Sequence, residues 1–229
     1  MTRKTSRPSA QRTREKLMMA GRKAFASKGL GGASLREDIL APSGVSAGSF
    51  YHQFKDKAAL LAEIIREDGA RVVAATRGSL LEGGPSDPAA RALSGLTYLF
   101  ERAEKNPYFV KIYVREYYSE SRLVQREINR HRENTMAALK AIYDRLGETR
   151  GVNLDAHSLS IMMTSQIFSL LNYHIGQSKK VREETRPAMI RSLVQLMVGG
   201  IMAVRLPDAP AASDDAASTA SPATASPDA

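Results

Sequence analysis

The chain has no cysteine among its 229 residues. That absence excludes a disulfide scaffold, a thiol nucleophile and a thiolate metal site, and it suits a reducing compartment. Histidine is scarce too: His52, His131, His157 and His174 are scattered, with none of the spacings that hold a metal ion. There is no long hydrophobic run. The longest, residues 193–204, is broken by Gln195 and two glycines and falls short of the roughly 20 apolar residues a membrane-spanning helix needs. The basic start of the chain is not followed by the apolar stretch of a signal peptide, so a cytoplasmic protein with no membrane partner is expected. Glycine-rich phosphate loops, Ser-His-acid groupings, strand-like alternation and internal repeats are all missing, and enzymatic activity is not expected.

What is present is apolar content of 43%, enough for a substantial core, and positive charge. The net +9 is unevenly spread: residues 207–229 carry four aspartates and no basic residue, which leaves +13 on residues 1–206. Residues 1–57 alone hold twelve Lys/Arg against four Asp/Glu, a net +8. Clustered positive charge is rewarded by counterion release from phosphates, so double-stranded DNA is the favoured partner.

Helical periodicity runs through most of the chain. Residues 1–10 read as a flexible basic arm. From Gln11 to Lys28, Leu17, Ala20, Gly21, Ala24 and Phe25 share one helical face. Gly29-Leu30 reads as a Schellman stop, and Gly31-Gly32 as a turn. Ser34-Leu35-Arg36-Glu37 matches a capping box and opens a second short helix that buries Leu35 and Ile39 and ends at Pro42 and Gly44. Ser46 caps a third, with Val45 and Phe50 spaced as a hydrophobic staple and Phe54 extending the buried side.

A linking helix is expected over 56–81, with a break at Gly83-Gly84-Pro85. Helices then follow from Asp87-Pro88 to Asn106, with Ala90, Leu93, Thr97 and Phe100 as its apolar face, and through 109–117 and 121–146. Gly147 and Gly151 bracket a loop. Two last helices span 155–177 and about 184–205, and the Pro/Ala/Ser/Asp tail 207–229 is expected to be disordered. The fold class is all-α with about nine helices, an N-terminal helix-turn-helix unit at 11–55 and a helical domain at 56–206.

The first 65 residues resemble the tetracycline-repressor (TetR) family of bacterial transcriptional regulators. The resemblance rests on AFASKG at 24–29, Asp38-Ile39, GVSAGSFYHQF at 44–54 and DKAALLAEII at 56–65, in order and at matching spacing. It implies an all-α homodimer that binds a palindromic operator and is released by a small molecule. Leu40 and Pro42 depart from the family pattern, which implies a shortened or tilted second helix. A DNA-organising protein of the same fold without an inducer is the competing reading, and a helical enzyme a remote one.

For DNA, Tyr51 and His52 are phosphate donors on an exposed helical turn, and the family grips the backbone at the matching positions. The alternative is that Tyr51 packs on the fourth helix. Ser34, Ser46 and Lys57 stand at helix N-termini, where amide dipoles and charge favour phosphate; simple capping and a solvated lysine are the alternatives. Sequence readout falls to Arg36, which suits a guanine edge, and to the small residues Ala47, Gly48 and Ser49. Lys4, Arg7 and Arg12 add cations nearby.

In the C-terminal domain Tyr98, Phe109, Tyr113, Tyr117, Met136, Met163, Gln166 and Tyr173 are the candidate lining of a pocket for a small, largely apolar effector, with core packing as the alternative for each. His131 is expected to be a satisfied core histidine. No cofactor or metal is expected. Leu193, Leu196, Met197, Gly200, Ile201 and Val204 are the candidate dimer interface, two helices per subunit.

Overall fold

A computed structural model describes residues 7–78 and 87–199; residues 1–6 of the expected arm, the Gly83-Gly84-Pro85 break, the tail, and Gly200, Ile201 and Val204 lie outside the described residues. Nine helical elements and no strands occur among them. They are α1 (Arg7–Gly32), α2 (a π-type segment Leu35–Leu40 running into an α-turn Ala41–Ser43), α3 (Ala47–Gln53), α4 (Lys57–Arg77), α5 (Pro88–Lys105), α6 (Tyr108–Arg115), α7 (Arg122–Arg150), α8 (Ala156–Gly176) and α9 (Lys179–Val194, continued by a π-type turn Gln195–Gly199).

Most caps are those the sequence marks. Ser34, Ser46, Asp56, Asp87, Asp155 and Ser178 each accept a backbone N–H from three residues on, supplying partners to amides that a helix start leaves unpaired.

Several local expectations are corrected. Helix α1 begins at Arg7 rather than Gln11, so residues 7–10 extend it. Its break does fall at Gly29, where φ is 70° and ψ 179°, a region closed to side-chain-bearing residues. The Leu30 N–H donates to Glu116 Oε1 at 2.7 Å, and residues 30–32 make one more helical turn. At Ser34 the reciprocal half of the capping box comes from Asp38, whose Oδ2 accepts the Ser34 N–H at 2.8 Å, rather than from Glu37.

Pro42 does not end α2. The turn widens, with Ala41 N–H reaching Arg36 O, and the chain passes through Pro42 to Ser43 before Gly44 closes it. A wider turn relieves the clash of a proline ring with the carbonyl four residues back. Gly147 lies within α7, and Gly151 (φ 62°) ends that helix in a Schellman motif: Val152 N–H to Gly147 O at 3.0 Å and Gly151 N–H to Glu148 O. On α5 the buried face is Ala92, Leu96, Phe100 and Ala103, while Leu93 is exposed. Helix α9 starts at Lys179, five residues before the expected Glu184.

Two apolar cores organise the molecule. The first joins α1, α2 and α3 to α4 and α6 through Leu17, Phe25, Ile39, Phe50, Leu60 and Ile64, and reaches Phe168 of α8. The second holds α5, the end of α7, α8 and α9 together around Phe100, Tyr143, Leu171 and Leu193. The N-terminal unit is therefore packed onto the larger helical domain. A buried ion pair adds to that junction: Arg22 of α1 forks onto Asp68 of α4 at 2.7 and 2.8 Å.

Candidate nucleic-acid interface and effector pocket

Helix α3 is held by one side only. Phe50 is fully buried, Phe54 nearly so, and Val45 packs on the same core, whereas Ser46, Ala47, Gly48, Ser49, Tyr51 and His52 all face outward. The periodicity places one apolar stripe against α1 and α2 and leaves the rest of a seven-residue helix free. Tyr51 is 60% exposed; its ring meets Phe50 edge-on at 5.3 Å rather than lying down on α4. A methyl built at Gly48 meets nothing within 4 Å, so packing within the chain does not require glycine there.

The cations around α3 divide into two groups. Arg14 pairs with Glu63 and, at 2.5 Å, with Glu67, and lies over the Phe54 ring; Arg22 is bound to Asp68; Lys28 holds Asp38 at 2.6 Å. These charges hold the fold together. Arg66 and then Arg14 hold the Glu63 carboxyl at about 2, and Lys28, followed by the Ser34 N–H, lowers that of Asp38. Arg12, Lys16 and Arg36 are exposed and make no ion pair among the described residues. Arg12 and Lys16, one turn apart on α1, border an open cleft with Ser9, Thr13, Gly44, Val45, Ser46 and Ser49.

Lys16 escaped the sequence reading, although its i, i+4 spacing from Arg12 marks a shared face. Lys57 donates to Ala33 O at 2.9 Å, which draws its ammonium toward the start of α2 and leaves two further N–H donors. Ser34 Oγ accepts from Glu37 N–H at 3.3 Å. What results is an outward turn with a phenol, an imidazole and hydroxyls, flanked by unneutralised cations. Such a surface can donate hydrogen bonds to phosphate oxygens.

Residues 17–64 match the family model described as bacterial regulatory proteins, tetR family. Over that segment the chain is similar to tetR-family regulators. Among relatives, the HTH-type transcriptional regulator UidR of Escherichia coli K12 is 24% identical over 193 residues, covering 84% of this chain and 94% of UidR. Two crystal structures share the fold. FadR from Bacillus subtilis, in complex with stearoyl-CoA, superposes with a TM-score of 0.66 at 16% identity, over 81% of this chain and 98% of FadR. The TetR-family regulator PfmR from Thermus thermophilus gives 0.62 at 22% identity, over 81% and 95%. No helix among the described residues is long and apolar enough to cross a membrane.

In the larger domain, α4 to α8 line a mainly apolar cavity of about 70 Å³, walled by Val72, Leu99, Phe109, Leu139, Ile167 and Phe168, with Asp68, Arg71 and Arg102 also lining it. A second cavity of the same volume lies across Phe168, lined by Tyr113, Tyr117, Arg132, Met136, Ile161 and Thr164. Of the candidate lining residues, the structure thus brings Phe109 to the first cavity and Tyr113, Tyr117 and Met136 to the second. Met163 is buried in the second core, while Tyr98, Gln166 and Tyr173 are exposed.

His131 is buried between the rings of Phe109, Tyr113 and Phe168, with Nδ1 facing the Gly69 backbone. That burial drops its pKa to about 4. His174 is also buried, its Nε2 2.6 Å from Glu104 Oε1, which Arg186 also reaches at 3.2 Å. In the expected interface set, Leu193 and Met197 are buried within their own subunit, and Leu196 is exposed. An exposed apolar set not assigned to the interface from sequence lies on α8, where Ile161, Met162 and the expected pocket residue Tyr173 stand out at 42, 63 and 55% exposure beside Ser165 and Ser169.

Proposed function

We propose that this protein is a homodimeric repressor that occupies a palindromic operator and is released by a small, largely apolar effector. The observation that carries the reading is the free face of α3, with Tyr51 and His52 outward, Gly48 open to close approach, and Arg36, Arg12 and Lys16 unpaired beside it. Two such helices, one per subunit, enter successive major grooves about 34 Å apart. The exposed apolar face of α8, with Leu196 beyond α9, is the surface that a second copy covers.

Effector release has two routes from the cavity to the DNA-binding unit. Asp68 borders the cavity and holds Arg22 of α1. Glu116, one residue beyond α6, holds the Leu30 N–H at the break of α1. A ligand that binds the DNA-incompetent state more tightly shifts both contacts, and only that difference in affinity weakens operator binding.

The test is binding to the chain's own upstream DNA, compared with random DNA of equal length. One tight site, a steep fall in affinity with salt, and loss of binding by a still dimeric Tyr51→Ala variant support the reading. Many equivalent sites would favour a DNA-organising protein without an inducer. Unchanged operator binding by Tyr51→Ala would remove the docking geometry.

A further inference from the structure

We infer that the effector is an amphipathic monocarboxylate whose acid group binds Arg132 and whose apolar body crosses the position of Phe168 from one cavity into the other. The inference rests on the effector reading above and names the chemistry of that site.

Each cavity, at about 70 Å³, has room for about two waters, well below the several hundred Å³ of a typical small-molecule pocket. Phe168 lines both cavities. Its ring is stacked on Tyr113 at 4.2 Å and meets His131 edge-on at 5.7 Å. These contacts are van der Waals and quadrupolar, so turning one side chain joins two small spaces without unmaking a hydrogen bond. An elongated apolar body can offer the neighbouring side chains the contacts that the displaced ring gives up.

The charge around the joined space is uneven. Arg71 beside the first cavity is already neutralised, by Asp68 at 2.8 Å and Glu67 at 3.0 Å. Arg132 beside the second has no carboxylate within ion-pair distance among the described residues. Its guanidinium donates to the Tyr117 hydroxyl at 3.3 Å and lies 5.9 Å from the centre of that ring. A planar fork held over an aromatic face is oriented before the ligand arrives, and a carboxylate completes it with two parallel hydrogen bonds. Arg102, at the first cavity, donates among the described residues to the Tyr98 hydroxyl, at 3.5 Å, on the exposed side of α5. It is the less prepared of the two unpaired cations.

The same contact leads to the DNA-binding unit. Tyr113 lies one turn before Glu116, so a ligand that displaces the Phe168–Tyr113 stack acts on α6 where Glu116 meets the break of α1.

The experiment measures calorimetric binding of octanoate, decanoate and their primary amides to the full-length protein, and operator release by each. The acids are expected to bind at least tenfold more tightly than the amides. Arg132→Gln is expected to abolish that preference while leaving amide affinity within twofold, and Phe168→Ala to tighten decanoate more than octanoate. Equal binding of acid and amide to the wild type overturns the assignment, as does an acid preference that survives Arg132→Gln and is lost in Arg102→Gln. To separate this failure from that of the effector reading, a panel of neutral and cationic amphipaths is run on wild type and on Val72→Trp, which fills the first cavity. Operator release by any of them that Val72→Trp blocks keeps the effector reading and discards the carboxylate; release by none discards both.

Discussion

Gly48→Ala separates what α3 does for the fold from what it does for DNA. The added methyl meets no atom within 4 Å, and the residue is exposed. Alanine in a helix interior is favoured over glycine by about 1 kcal/mol, and near the start of so short a helix by about half of that. For a chain of this length, a gain of ~0.5–1 kcal/mol raises Tm by ~1–4 °C. DNA binding moves the other way. If the α3 backbone closes on the groove at residue 48, the methyl occupies space the DNA needs, and a packing penalty of ~1–3 kcal/mol lowers affinity by about five- to 150-fold. Differential scanning calorimetry gives the first quantity, and fluorescence anisotropy on labelled operator at fixed salt the second. Operator affinity equal to or tighter than that of the wild type would refute close approach at this residue, and a lowered Tm would refute the open space around it.

Gly29→Ala tests the junction between α1 and α6. A side chain there sits at φ 70° and ψ 179°, and its Cβ would lie 2.8 Å from Arg115 Cδ and 3.0 Å from Glu116 Oε1. Backbone strain and overpacking together predict a loss of ~2–5 kcal/mol in urea denaturation, while Gly31→Ala, with nothing within 4 Å, is expected to cost nothing. His131 supplies a pH signature. Its native pKa of about 4 lies below the ordinary 6.5, so the unfolded chain takes up the proton first as pH falls. The stability it contributes is complete above about pH 6.5 and is lost progressively down to about pH 4, some 3 kcal/mol in all. Comparing the pH dependence of unfolding in wild type and His131→Leu isolates this term; parallel curves between pH 6.5 and 4 would refute the assignment.

Features read correctly from sequence depend on residues three or four apart. The serine and aspartate caps and the Val45–Phe50–Phe54 side of α3 are local in this sense, because a helix fixes which neighbours meet before any tertiary contact forms. The misreadings have local alternatives that periodicity cannot separate. On α5 the sets Leu93–Thr97–Phe100 and Ala92–Leu96–Phe100–Ala103 are both helical faces, and packing on α8 and α9 selects the second. Leu193 and Met197 have the apolar character of an interface, but α5 covers them within the subunit.

The sequence by itself determined an all-α chain with a capped helix-turn-helix, a clustered positive charge and Tyr51-His52 on a free turn, because spacing, caps and charge act over a few residues. The tertiary structure alone decided which cations remain available, through Glu63, Glu67, Asp68 and Asp38. It also decided which aromatics meet at a cavity, and that Glu116 accepts the Leu30 N–H, 86 residues away. These outcomes depend on which distant groups compete for one donor or one space, and the chain answers that only when it is folded.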